Sequence, residues 1–133
     1  MKKILLMMAL SFFLPTLFSF VKYQQRVPWN VPDKYQKMAN PVKSSPESIA
    51  NGKSLWGLHC KSCHGAKGKG DGPKAAQLDT ECGDFTTADF QKQSDGSIFY
   101  KTMEGRKDMP SFKKKIEDES DLWALVNYIR TMK

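Results

Sequence analysis

The chain has 133 residues, with 21 lysines and arginines against 14 aspartates and glutamates, which gives a formal net charge of +7. This length leaves room for one compact domain, and the apolar core of so small a domain is barely sufficient by itself. The three cysteines are an odd number, so pairing two of them leaves the third without a partner in the chain.

The first residues have the pattern of an export signal. Lys2 and Lys3 precede an apolar run over residues 4–21, which is the order of charged and hydrophobic segments that directs secretion. Residues 1–19 are expected to be a signal peptide cut after Ser19, or an N-terminal anchor in which residues 4–21 stay in the inner membrane. The protein is therefore expected in the periplasm, and no nucleic-acid partner is expected for an exported chain without a binding motif.

Residues 20–45 are predicted to form a proline-rich arm or tether. Pro28, Pro32 and Pro41 recur in this segment, and it has no helical period. Trp29 and Tyr35 are large enough to dock on a domain, so the arm is expected to be irregular rather than disordered.

The predicted domain covers residues 46–133 and begins with a helix. Ser45 is a favourable N-cap, Pro46 suits the first helical position, and Glu47 suits the first turn. Gly52 in the middle of this helix costs about 1 kcal/mol against alanine. We therefore expect another backbone, that of the last helix, to approach closely at Gly52.

This helix leads into the sequence CKSCH at residues 60–64, whose C-x-x-C-H spacing attaches a c-type haem. On one helical turn Cys60 and Cys63 face the same way, so both thiols can add to the vinyl groups of one porphyrin edge. His64 follows directly and can place an imidazole nitrogen on the iron. One such motif predicts one covalently bound haem c.

Two other kinds of site use cysteines at this spacing. A zinc site with Cys82 as a further ligand is disfavoured, because Cys63 and His64 are adjacent and neighbouring residues rarely ligate one tetrahedral ion together. A thioredoxin-like dithiol is disfavoured because no apolar β-branched run precedes Cys60. The haem hypothesis gives Cys82 no role.

Two further helices are predicted downstream. The shorter one runs from Ser94 or Asp95 to Met103 and ends at Gly105 as a left-handed cap. The last one has Ser120 as N-cap and carries its apolar residues on one face, namely Leu122, Leu125, Val126 and Ile129. No convincing strand is present, so the predicted fold class is all-α with long loops around a flat cofactor.

The sixth position of a haem iron takes a methionine, a second histidine or a lysine, or stays open. Met103 has the helical spacing of a core residue, and Met132 lies at the terminus, where helices fray. Met109 lies in the loop 105–110, which has no regular period to explain an apolar residue, and Pro110 stiffens the backbone after it. Met109 is therefore the best candidate for the axial ligand.

Three segments together resemble the class I cytochromes c of the bacterial monohaem kind: CKSCH at 60–64, GKGDGP at 68–73 and GRKDMP at 105–110. The resemblance covers residues 46–133. It implies a small cytochrome c fold in which the N- and C-terminal helices cross and loops wrap one covalent haem. The crossing contacts it implies join Gly52 and Trp56 to Leu125 and Tyr128.

The resemblance also implies a ligand set for the haem: thioethers at Cys60 and Cys63, His64 as proximal ligand, Met109 as distal ligand, and the Pro73 carbonyl on the other nitrogen of His64. The contact with Pro73 has a physical purpose, because a ligating histidine needs its second nitrogen held to fix the ring orientation.

An iron with histidine and methionine ligands has no open position for a substrate. The sequence therefore predicts an exported carrier of single electrons between respiratory redox partners, and not an enzyme. One alternative is a haem-bearing subunit of a larger membrane oxidoreductase, with the arm as its contact. Another is a haem ligand sensor or peroxidase in which Met109 leaves the iron.

Basic residues cluster in the two segments expected to frame the haem edge: Lys61, Lys67, Lys69 and Lys74 in one, and Arg106, Lys107, Lys113, Lys114 and Lys115 in the other. A basic ring would steer redox partners with acidic docking surfaces. The alternative is a solvated surface without a partner.

Overall fold

The computed structural model describes residues 28–133 of the chain. The predicted signal peptide or anchor, with its cleavage position and its membrane segment 4–21, lies outside the described residues. Within them, no helix has both the length and the apolar character needed to cross a membrane.

Six α-helices and one short 3₁₀ turn make up the regular structure of this part of the chain. They are α1 (Asp33–Gln36), α2 (Pro46–His59), α3 (Lys61–His64), the 3₁₀ turn Ala75–Gln77, α4 (Ala88–Gln91), α5 (Asp95–Glu104) and α6 (Glu119–Ile129). Residues 28–133 contain no strand, and their one isolated bridge joins Arg106 to Met109. The prediction of an all-α fold is confirmed.

Helices α2 and α6 cross and form the main packing contact of the domain. Helix α2 begins as predicted, since Ser45 and Ser48 cap each other in a reciprocal capping box. At Gly52 a Cβ atom would collide with the Ala124 carbonyl and lie 2.8 Å from the Cβ of Tyr128. The expected close approach at Gly52 is therefore confirmed, because only a residue without a side chain admits α6 at this distance.

Helix α6 begins one residue before the predicted N-cap. Asp118, and not Ser120, is the N-cap, and its carboxylate accepts a hydrogen bond of 2.8 Å from the backbone of Ser120. The prediction of Ser120 was wrong because serine and aspartate both cap well and the apolar period does not distinguish between them.

Helix α5 ends at Glu104, one residue beyond the predicted Met103. Its predicted caps are confirmed, with Ser94 as N-cap and Gly105 in a left-handed conformation (φ 69°) after its last residue. Arg130 at the end of α6 forms an ion pair of 2.7 Å with Asp95. This pair joins the last turn of α6 to the first turn of α5.

The hydrophobic core lies between α2, α5 and α6 and includes Trp56, Ile98, Phe99, Leu125 and Val126. Met103 belongs to this core, as its helical spacing predicted.

Met132 is also a core residue, with only 7% of its surface exposed. The expectation that it frays was wrong, because its carbonyl accepts a bond of 2.9 Å from the Gln91 side chain and its thioether packs against Gly68.

The described part of the arm, residues 28–45, packs along the domain. Its residues 33–36 form α1, a single turn that the proline-rich sequence did not predict. The Tyr35 carbonyl touches Gly96 of α5, and Asn40 donates a bond of 2.9 Å to the buried side chain of Asn127. Both contacts join residues far apart in sequence.

Candidate haem site

A cavity of about 480 Å³ opens between α2, α5, α6 and the loops, within the range of protein pockets that hold a cofactor. Four of the five predicted site residues line it, namely Cys60, Cys63, His64 and Met109. The fifth, Pro73, lies exposed outside the lining. The structure therefore brings together both predicted attachment cysteines and both predicted iron ligands.

The attachment segment, which we define as residues 60–74, is held by its own backbone. Cys60 separates α2 from α3 and accepts a bond of 2.9 Å from the His64 amide. The following loop folds back, with Gly70 donating to the His64 carbonyl (2.9 Å) and Gly72 to that of Cys63 (3.1 Å). A Cβ atom at Gly72 would lie 2.5 Å from the Ser62 carbonyl oxygen, which explains the glycine of this motif.

Aromatic rings pack against His64. The indole of Trp56 is buried and donates a hydrogen bond of 3.0 Å to the Gly65 carbonyl. The Trp56 ring lies 5.8 Å from the imidazole, and the Phe85 ring lies 4.7 Å from it. These rings restrict the orientation of the His64 side chain.

Burial controls the protonation of the attachment segment. It raises the pKa of the Cys60 thiol to about 12, with a smaller contribution from Cys63. Burial also lowers the pKa of His64, against an opposing hydrogen bond with the backbone of Cys82. A lowered pKa favours the neutral imidazole, which is the form that ligates a metal.

His64 Nδ1 is buried and has no hydrogen-bond partner among residues 28–133. The bond predicted between the Pro73 carbonyl and the second nitrogen of His64 is therefore not made at Nδ1. A buried nitrogen without a partner is costly in a protein interior. His64 lines the cavity, and its unpartnered nitrogen supports the fit of a haem iron, because a ligating imidazole binds the metal through one nitrogen while a neighbouring group holds the other.

Met109 lies at the end of a tight turn. In this turn, residues 106–109, the amides of Arg106 and Met109 donate to each other's carbonyls at 2.8 and 3.0 Å. Lys107 has φ 54°, a left-handed conformation that is unfavourable for a residue other than glycine. Asp108 accepts a bond of 2.8 Å from the amide of Thr80, which connects the turn to the opposite loop.

Two cations and the arm meet at the same cavity. Lys101 and Arg106 both line it, as does Trp29, whose ring centre lies 4.5 Å from the Arg106 guanidinium carbon. Burial, and then the charge of Arg106, lower the pKa of Lys101. Lys101 and Trp29 were not predicted as site residues, because no local pattern indicates where the arm and α5 meet.

Cys82 also lines the cavity. Its thiol is half-buried, and burial, followed by the charges of Cys63 and Asp108, raises its pKa. Within residues 28–133, no group of three or more histidine, cysteine, aspartate or glutamate side chains is arranged to hold a metal ion.

Comparisons with known proteins give a family match and several similar structures. The sequence profile of the cytochrome c family matches residues 49–133. A chain of the Kuenenia stuttgartiensis reducing HAO-like protein complex Kustc0457/Kustc0458 is similar in structure, with a TM-score of 0.64 and 27% identity over 83% of this chain. This chain spans 53% of that chain's length.

The KustC0563 c-type cytochrome is also similar, with a TM-score of 0.54 and 33% identity over 62% of this chain and 96% of its own. A tyrosine-to-phenylalanine mutant of the same cytochrome gives a TM-score of 0.53 at the same identity, over 62% of this chain and 99% of its own. No curated protein sequence matches this chain significantly.

Proposed function

Since the chain belongs to the cytochrome c family and carries a covalent haem c, we propose that it is an exported carrier of single electrons between respiratory redox partners. The observation that carries this proposal is the shared cavity lined by Cys60, Cys63, His64 and Met109. In the proposal, the two cysteines attach the haem, and His64 and Met109 ligate its iron.

The side chains around the cavity fit this group. Haem iron supplies one-electron chemistry, and a methionine ligand raises its reduction potential. Trp56 and Phe85 hold the His64 ring, while the apolar side chains of Leu125 and Ile129 exclude water. Lys101 and Arg106 supply positive charge suited to the two carboxylates of a haem.

Docking to acidic partner surfaces is part of the proposal. The two clusters of lysine and arginine predicted to frame the haem edge are exposed, except for the half-buried Arg106. Exposed positive charge raises the rate at which an oppositely charged partner is encountered, and salt screens the effect. Charge reversal at Lys61 and Lys107 should therefore slow electron transfer at low salt and have little effect at high salt.

The experiment that tests the carrier function is the absorption spectrum of the protein matured with export and haem-attachment machinery. A c-type pyridine haemochrome together with a sulfur-to-iron charge-transfer band in the native ferric protein is the expected result. A covalent haem without the sulfur band would contradict ligation by Met109 and favour a ligand sensor or peroxidase.

The variant Met109→Ala tests the distal ligand directly. We expect it to retain covalent haem, to lose the sulfur band and to bind carbon monoxide in the ferrous state. Met38→Ala is the matched control, because Met38 is exposed and lies outside the cavity lining. Exclusion of carbon monoxide by Met109→Ala would contradict the assignment.

A second candidate function, a haem-bearing subunit of a larger oxidoreductase complex, is favoured by the extent of one structural similarity. The similarity to the chain of the Kuenenia stuttgartiensis HAO-like complex covers 83% of the 133 residues, which is about 110 residues. The family profile matches only residues 49–133, which is 85 residues. Part of the arm is therefore included in the similarity, while KustC0563 covers 62% of the chain. Deleting residues 22–44 and measuring co-purification with membranes separates a subunit from a free carrier.

Export is the part of the proposal that rests on the sequence alone. The mass of the mature protein, recovered from the periplasmic and membrane fractions, tests it. Loss of residues 1–19 supports a cleaved signal, and a full-length membrane-bound form supports an anchor at residues 4–21.

A further inference from the structure

The turn that carries Met109 is joined to the arm by one side chain. The guanidinium of Arg106 donates a hydrogen bond of 3.1 Å to the Pro28 carbonyl, 78 residues away in sequence. The same guanidinium stacks on the Trp29 ring at 4.5 Å, a cation–π distance. Arg106 is therefore held by two independent contacts with the arm.

The backbone of Arg106 is in turn bonded to Met109. Its amide and carbonyl both pair with those of Met109, so a displacement of Arg106 changes the position of Met109. Lys107 between them has φ 54°. A non-glycine residue keeps such a conformation only when the surrounding structure fixes it.

The arm itself is fixed to the domain at points remote from the turn. The Tyr35 carbonyl packs against Gly96 of α5, the Tyr35 ring lies 4.6 Å from that of Tyr100, and Asn40 bonds to Asn127 of α6. Because these contacts fix the arm, they also fix Pro28 and Trp29, the two arm residues that contact Arg106.

We propose that the arm is a positioning element for the axial methionine: Trp29 and the Pro28 carbonyl hold Arg106, and Arg106 holds the turn in which Met109 faces the cavity. This inference rests on the proposed ligation of iron by Met109. Without the arm contacts the turn opens more often, and Met109 spends more time away from the iron.

The test compares full-length, haem-loaded variants. Trp29→Ala should retain covalent haem and the fold, but weaken the sulfur-to-iron band and raise the rate of carbon monoxide binding by roughly tenfold, as expected for the loss of one cation–π contact. Trp29→Phe keeps an aromatic face and should restore most of the band. Met38→Ala, in the same arm, is the control and should leave both unchanged.

Hydrogen exchange distinguishes an opening of the turn from the greater solvent access to the cavity that removal of the Trp29 ring would cause by itself. The amides of Arg106 and Met109 should exchange roughly tenfold faster in Trp29→Ala, because their mutual bonds break when the turn opens. Unchanged exchange and an unchanged band would overturn the inference. A Met109→Ala variant that keeps the band would instead overturn the proposed ligation itself, so the two failures are distinguishable.

Discussion

The attachment segment, residues 60–74, and the turn that carries Met109, residues 106–109, face the same cavity but are built in different ways. Hydrogen bonds within the attachment segment span no more than about twelve residues. The turn is closed by its own bonds between Arg106 and Met109, but Thr80 and Pro28, which lie 28 and 78 residues from their partners, hold it to the rest of the molecule. The first region is specified by neighbouring sequence, and the second depends on the assembled fold.

This difference between the two regions matches the chemistry proposed for each of them. Covalent attachment requires two thiols and an imidazole in a fixed local arrangement, and one helical turn supplies it. A thioether ligand is exchangeable, and its occupancy depends on how rarely the turn opens. A comparison of variants in the two regions should therefore separate loss of haem from loss of one ligand.

The largest effect is expected from Cys60→Ala combined with Cys63→Ala, which removes both thiols proposed to attach the haem. No covalent haem should remain, because no other pair of thiols occurs at this spacing in the chain. Mass spectrometry of the denatured protein measures this. Cys82→Ala is the matched control and should keep the full haem mass, and covalent haem in the double variant would contradict the attachment assignment.

Gly52→Ala tests the helix crossing behind the attachment segment. The new Cβ would lie 2.7 Å from the carbonyl carbon of Ala124, so the helices must separate. We expect a loss of about 3 kcal/mol in the free energy of unfolding, measured by denaturant titration.

Gly57→Ala is the control on the same helix, since nothing lies within 4 Å of its Cβ position. It should gain up to about 1 kcal/mol from helix propensity. Equal effects at Gly52 and Gly57 would contradict the close approach of α6.

Asp108→Ala removes the bond between the turn and Thr80 and should have a smaller effect, confined to the distal ligand. We expect the rate of carbon monoxide binding to rise roughly threefold with the haem content unchanged. Asp108→Asn keeps an oxygen that can accept from Thr80 and should behave like the parent protein. A loss of haem content in Asp108→Ala would contradict the separation of the two regions.

The smallest expected effect is a pH dependence at the N-cap of α6. Hydrogen bonds from Ser120 lower the pKa of Asp118 below its ordinary value of 3.8. Its carboxylate therefore stabilises the fold above that pH, and the contribution is lost as the pH falls through the folded pKa.

Asp118→Asn keeps the cap but does not titrate. The melting temperature of the parent protein should thus exceed that of Asp118→Asn near neutral pH, and the difference should shrink below about pH 4. A difference in melting temperature that stays constant as the pH falls would contradict the role of the carboxylate.

Strong local signals made much of the fold predictable. Ser45 with Pro46, Ser94 and Gly105 each fix a helix end through backbone groups within a few residues. The start of α6 was misplaced because Asp118 and Ser120 offer equivalent caps.

Two features near the ends of the described residues could be identified only from the tertiary structure. The burial of Met132 follows from the Gln91 side chain, which reaches three carbonyls including that of Met132. The single turn of α1 lies against α5, and a four-residue helix has too little intrinsic stability to be seen in sequence.

The sequence by itself determined the cofactor and the fold class and predicted the attachment residues, because C-x-x-C-H, the helix caps and the apolar periods all act over a few residues. Only the tertiary structure decided that Trp29, Lys101 and Cys82 meet Met109 at one cavity. These residues lie in segments up to 80 positions apart, and their meeting depends on how α5, α6 and the arm pack, which no local pattern encodes.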